Sequence, residues 1–188
     1  MNRGNDSVIF SPVTAFGRTL CFVLLTLPLM LVQYLLILLK LPQRDSLPHW
    51  YHRQLCRICG FRVLRRGKVS QAHPTLFVSN HSSYFDIPVM TSLAKGSFVA
   101  KTEVAQWPFF GWLAKLQRSV FVDRQRNRAH EHRDEMVSRL EQGDNLFLFP
   151  EGTSNDGNAV LPFKSALFAV ASLTPRGKPL TVQPVSIT

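Results

Sequence analysis

Leu76-Phe77-Val78-Ser79-Asn80-His81-Ser82-Ser83-Tyr84-Phe85-Asp86-Ile87-Pro88 decides the reading of this chain. An apolar run of strand type gives way to a polar turn, and Asp86 opens the next apolar stretch. A strand feeding a helix through such a turn belongs to an α/β domain. His81 and Asp86 lie five positions apart, close enough for the carboxylate to fold back on the imidazole. A neutral imidazole oriented by a carboxylate takes a proton from a hydroxyl near neutral pH. The same residues also fit a plainer arrangement. Asp86 would then be a helix N-cap, Pro88 would sit in the first turn and His81 would be a loop histidine.

Outward from this stretch the pattern repeats. Short apolar runs rich in aromatic or β-branched residues predict strands at 61–64, 75–79, 97–100, 119–122, 145–149 and 180–187. Between them, 127–142 predicts a helix with Met136, Val137 and Leu140 on one face and Gly143 as C-cap. A second, apolar helix is expected over 163–172. Alternating strands and helices imply an α/β fold, a central mixed sheet flanked by helices, preceded by an N-terminal membrane helix.

That helix is expected over 19–39, which holds no charged residue and is bracketed by Arg18 and Lys40. At ~1.5 Å per residue it would reach roughly 30 Å, about the thickness of a bilayer's hydrocarbon core. A soluble helix would show a polar face, and a cleaved leader would end in small residues rather than Lys40-Leu41-Pro42-Gln43-Arg44. The residues before it read as irregular or interfacial. The division that follows is a membrane-embedded segment over 1–45, a basic amphipathic connector over 46–70 and a catalytic domain over 71–188. Formal net charge is +10. Arg53, Arg57, Arg62, Arg65, Arg66 and Lys68 follow the apolar run, where they would meet anionic headgroups and mark a cytoplasmic face. No nucleic acid partner is expected, because no binding motif accompanies the charge. Cys56 and Cys59 have metal-ligand spacing but no second pair, so no metal site is expected.

Four ordered motifs carry a resemblance. Asn80-His81-x-x-x-x-Asp86 is similar to the first motif of the glycerophospholipid acyltransferases, the 1-acyl-sn-glycerol-3-phosphate acyltransferase group. Lys101-x-Glu103, Pro108-x-x-Gly111 and Phe121-Val122-Asp123-Arg124 resemble the second. Phe149-Pro150-Glu151-Gly152-Thr153 resembles the third, and Val182-x-Pro184-Val185-Ser186-Ile187 the fourth. The resemblance implies that His81 is the general base for a lysolipid hydroxyl and Asp86 its orienting partner. It ties Lys101, Arg124, Glu151, Gly152 and Thr153 to substrate binding. It implies acyl-CoA or acyl carrier protein as donor, no cofactor, membrane lipids as surroundings, and the cytoplasmic face of a bacterial inner membrane as location. The acceptor it implies first is 1-acyl-glycerol-3-phosphate, giving phosphatidic acid.

Two departures stand out. Many phosphate-accepting members carry arginine after the threonine of the third motif, and here Ser154 stands there. Loss of that cation opens the alternative of lyso-ornithine lipid, whose acceptor hydroxyl lies on a fatty chain. A non-catalytic lipid-binding protein of the same fold is the remaining alternative. The chain also stops at Thr188, where members of the group usually run on, so the expectation is either a piece of a longer domain or a natural short form.

Overall fold

A computed structural model describes residues 11–122, 129–155, 158–172 and 174–188. Ten regular elements are named here in chain order: α1 (Pro12–Leu38), α2 (Leu47–Cys59), β1 (Thr75–Ser79), α3 (Asp86–Leu93), β2 (Ser97–Lys101), α4 (Phe110–Leu116), β3 (Val120–Val122), α5 (Ala129–Glu141), β4 (Leu146–Leu148) and β5 (Thr181–Val185).

The five strands form one sheet in the order β3-β2-β4-β1-β5. Every described pairing is parallel, where the sequence suggested a mixed sheet. Parallel neighbours need long crossovers, and α3, α5 and the segment after β4 supply them. Both faces of the central strands β1 and β4 are therefore covered, and their paired residues 76–78 and 146–148 are all apolar. On one face Leu76, Val78, Leu146 and Leu148 pack with Met136 and Leu140 of α5. On the other, Phe77, Phe98, Phe147 and Phe149 pack with Met90 of α3. The expected face of α5 is thus the buried one, and Gly143 follows it at a φ of 90°.

Three sequence expectations change. Residues 61–64 form no strand: Phe61 packs edge-on against Phe85 and Arg62 is exposed, with no neighbouring strand to pair with. Residues 165–172 form a 3-10 rather than an α-helix. The first helix begins at Pro12, ahead of the expected start, because Ser11 caps it by accepting the Thr14 amide and Pro12 supplies the fixed φ of a first turn. Residues 1–10 of the expected irregular segment lie outside the described residues.

Helix α1 is 27 residues long, and its most apolar window reaches a mean hydropathy of 2.4. It is long and apolar enough to cross a membrane. Its two buried residues are polar, Thr26 and Gln33, seven positions apart and therefore on one face. Thr26 Oγ1 pairs with the Tyr51 hydroxyl of α2 at 3.0 Å. Gln33 Nε2 donates to the carbonyls of Arg44 and Leu116. Arg18 lies against Gly60, which ends α2. These contacts run antiparallel along α1 and α2, so the pair is a docked hairpin. Val13, Phe16, Leu20, Leu24, Leu27 and Leu31 on the opposite side are exposed.

Helix α2 is in turn clamped across the C-terminus of α3. His49 Nδ1 bonds the Thr91 carbonyl at 2.6 Å, and Arg53 Nε donates to that of Ser92 at 2.9 Å. These are carbonyls that the helix leaves without an internal partner.

Candidate active site

Parallel strands bring all their C-terminal ends to one edge of the sheet, the edge where α/β folds place ligands. The register then decides which residues meet. Leu76, Phe77 and Val78 pair with Leu146, Phe147 and Leu148, an offset of 70 residues. Continued past the strand ends, that offset sets His81 level with Glu151. The His81 amide donates to Glu151 Oε1 at 2.7 Å. The first and third motifs therefore touch, although 70 residues separate them.

His81 and Asp86 are brought together as the spacing suggested. Nδ1 of the imidazole stands 2.8 Å from Asp86 Oδ2. The same oxygen accepts the amides of Ser82 at 2.8 Å and Ser83 at 2.9 Å. Asp86 is the first residue of α3, and its carboxylate points back into the preceding turn instead of capping the amides ahead of it. The simple N-cap arrangement is therefore absent. Burial alone would raise the Asp86 carboxyl. The hydrogen bonds from His81, Ser83 and Ser82 outweigh it and hold the group below its ordinary value. An ionised carboxylate accepts the Nδ1–H proton, so the lone pair of the neutral ring lies on Nε2. The ring also stacks on Phe149, with centroids 4.1 Å apart and planes 12° from parallel. Phe149 stacks on Phe98, and Phe98 on Phe147. An aromatic column from the core thus supports the imidazole from one side while Asp86 holds its edge. The side chain retains 11% exposure.

The neighbouring serines are otherwise occupied. Ser82 Oγ lies 3.4 Å from Asp86 Oδ1, and Ser83 Oγ accepts the Phe85 amide. Neither hydroxyl is paired with the imidazole.

Glu151 has only 2% exposure. Besides the His81 amide, its carboxylate accepts Asn155 Nδ2 at 2.7 Å and the Leu161 amide at 2.8 Å. Gly152 follows at a φ of 69°, with its amide on the Phe149 carbonyl at 3.0 Å. Glycine adopts that left-handed conformation without the steric cost a side chain would carry. Thr153 is exposed, and Lys101, half-buried, ends β2 at the same sheet edge. Arg124 and Asp123 lie outside the described residues. Two contacts were not read from the sequence. Asn155, which follows Ser154, carries no motif of its own. Asn80 bonds the main chain of Ile187 through both its amide atoms, at 2.9 Å each, and so ties the first motif to the fourth. The Asn before the histidine was a visible signal for the second of these.

Among the described residues no cluster of metal-ligating side chains occurs. The acyltransferase family model matches residues 45–188. The lyso-ornithine lipid O-acyltransferase of Brucella abortus is 46% identical over 169 residues, covering 88% of this chain and 63% of that protein. The Rhizobium meliloti protein of the same name is 43% identical over 169 residues, covering 88% and 58%. The 1-acyl-sn-glycerol-3-phosphate acyltransferase of Neisseria gonorrhoeae is 36% identical over 111 residues, covering 57% and 44%. The chain thus spans less than two thirds of the length of these relatives. The crystal structure of the 1-acyl-sn-glycerophosphate acyltransferase PlsC from Thermotoga maritima superposes with a TM-score of 0.55 at 21% identity, covering 90% of this chain and 83% of that one. That likeness is one of fold.

Proposed function

This chain belongs to the acyltransferase family, and we propose that it transfers a fatty acyl group from a thioester donor to the hydroxyl of a lysolipid at a membrane surface. The observation that carries the reading is the buried pair of His81 and Asp86 at the C-terminal end of β1, with Nδ1 engaged and Nε2 left as the base. Nε2 takes the proton of the acceptor hydroxyl as its oxygen attacks the thioester carbonyl carbon. Asp86 stabilises the imidazolium that results. The tetrahedral intermediate then expels the thiolate of acyl-CoA or acyl carrier protein. The imidazolium returns the proton to that sulfur, so ester and thiol are the products. No acyl-enzyme is required, in keeping with the engagement of Ser82 and Ser83.

Lyso-ornithine lipid is the acceptor we place first, which reverses the order suggested by the four motifs alone. Relatives with that name match most of this chain, and Ser154 removes a cation expected for a phosphate. A phosphate acceptor is the second reading, favoured by Lys101 at the sheet edge and by the relatives named for 1-acyl-sn-glycerol-3-phosphate. Arg124, Lys101, Gly152 and Thr153 are the residues proposed to meet the headgroup. The exposed apolar side of α1 would lie in the bilayer, with the basic stretch at 53–68 at the headgroups of the cytoplasmic face of a bacterial inner membrane.

Acceptor profiling tests both readings. Purified chain in mixed micelles is given labelled acyl-CoA or acyl carrier protein with each lysolipid in turn. Faster turnover of lyso-ornithine lipid supports the first reading, and faster turnover of 1-acyl-glycerol-3-phosphate the second. No turnover of either lipid, or substantial activity in His81→Ala, refutes the mechanism.

A further inference from the structure

We propose that Glu151 and Asn155 are positioning residues that hold the main chain of His81, and thereby aim its Nε2. This rests on the acyl-transfer reading and deepens it. His81 lies past the last ladder position of β1 and ahead of α3. No strand or helix bond fixes its peptide. A ring oriented by Asp86 is aimed usefully only if the backbone that carries it is also fixed.

One loop supplies that restraint on both sides. The His81 amide donates to Glu151 Oε1 at 2.7 Å, and the His81 carbonyl accepts the Asn155 amide at 3.1 Å. The two partners are themselves joined, since Asn155 Nδ2 donates to Glu151 Oε2 at 2.7 Å and to the Ala159 carbonyl at 2.8 Å. The Leu161 amide closes the remaining approach at 2.8 Å. Glu151 is therefore a buried carboxylate among three protein donors, poorly placed to receive a lipid headgroup. Its charge is balanced by directed hydrogen bonds, the arrangement that makes burying an anion tolerable. Asparagine suits position 155 because its neutral amide donates twice without adding charge. A second carboxylate there would repel the first.

The test uses the full chain in detergent. Glu151→Gln puts an NH2 group against amide donors, and Asn155→Ala removes the side-chain bonds to Glu151 and Ala159. Losing a hydrogen bond to a buried charge lowers kcat by about 100-fold in the first variant and about 10-fold in the second, with the acceptor KM within about threefold of wild type. An acceptor KM raised about tenfold or more with kcat preserved would mean that Glu151 contacts the lipid, and would overturn the assignment.

A second measurement needs no substrate. Carbethoxylation of individual histidines by diethyl pyrocarbonate is followed by peptide mass mapping. The rate at His81 should rise severalfold in both variants while buried His52 stays protected. An unchanged His81 rate overturns the proposal. So does a parallel rise at His52, which would mean that the loop supports the whole fold and not this residue. If wild type shows no acyl transfer to any lysolipid, the acyl-transfer reading fails, and the carbethoxylation rates still decide whether the clamp exists.

Discussion

Asp86→Asn isolates the charge of the candidate base's partner from its shape. Three donors converge on Asp86 Oδ2, namely His81 Nδ1 and the amides of Ser82 and Ser83. An asparagine that places its carbonyl oxygen there keeps all three bonds, and its NH2 group takes the position near Ser82 Oγ. What disappears is one negative charge beside the imidazole. For an ion pair with charge centres about 4 Å apart at an effective dielectric of about 20, the attraction is about 4 kcal/mol. Part of that is recovered by the retained hydrogen bonds, so about 3 kcal/mol of imidazolium stabilisation is lost. At 1.36 kcal/mol per decade this is a fall of about 100- to 1000-fold in kcat. The acceptor KM should stay within about threefold, because Asp86 is not proposed to touch the lipid. The assay is initial-rate acyl transfer in mixed micelles, with a thermal melt as the fold control. A variant within about fivefold of wild type, while His81→Ala is inactive, would refute the requirement for an orienting carboxylate. The same substitution tests the electrostatics at acid pH. The folded Asp86 titrates below its ordinary value of 3.8, so its stabilising contribution is present above that value. It is lost as pH falls through the lower, folded value. Asp86→Asn should remove that part of the acid limb of a stability profile, and an unchanged limb would contradict the assignment.

Three further outcomes follow from separate contacts. In Gly111→Ala the new Cβ would lie 2.6 Å from the Ala105 carbonyl oxygen and 2.9 Å from its carbon; neither atom yields easily, so a loss of about 1–3 kcal/mol is expected, and an unchanged melting temperature would refute the clash. Gln33→Leu leaves the carbonyls of Arg44 and Leu116 without their donor; a cost of about 2 kcal/mol is expected, read as a lower melting temperature with liposome binding retained, and loss of liposome binding would show the face assignment of α1 to be wrong. Burial holds the His52 imidazole down, from 6.5 to about 4, against the hydrogen bond to Pro48; its stability contribution is complete above pH 6.5 and lost between there and about 4, at most about 3 kcal/mol, so His52→Gln should flatten the melting profile across that window.

The first and third motifs were legible as chemistry because their residue types are restricted and their spacing is short. Five of the predicted strands appear within a few residues of the expected limits, since a strand buried on both faces has little choice but to be apolar throughout. Residues 61–64 satisfied the same compositional test and failed it in space. A strand is a pairing, and the sequence of one segment does not contain its neighbour. The parallel direction of β5 was hidden for the same reason. The roles of Glu151 and Asn155 were harder still. Their bonds to His81 depend on the offset between β1 and β4, which no local pattern records. The apolarity of α1 was plain, but its docking was not. Gln33, a polar residue in an apolar run, suits a face turned to another protein segment, but its partners Arg44 and Leu116 lie 11 and 83 positions away.

The docked hairpin would also place the apolar helix and the proposed proton-transfer pair at one surface. Thr26 ties α1 to Tyr51 of α2. Two turns of α2, through His49 and Arg53, hold the last carbonyls of α3. Asp86 stands at the other end of that same short helix, eight residues long, with its carboxylate on His81. A helix of this length is about 12 Å long and bends little. Every link from the exposed apolar side chains of α1 to the imidazole is therefore a hydrogen bond or a rigid element. Phe61 and Phe85 add a ring contact between the end of the hairpin and the His81–Asp86 loop itself. An isolated transmembrane anchor on a flexible tether would leave the orientation of the site undetermined. Here the apolar helix is joined through α2 to the element that carries the carboxylate, so a bilayer contact made by α1 would fix the orientation of the sheet edge holding His81.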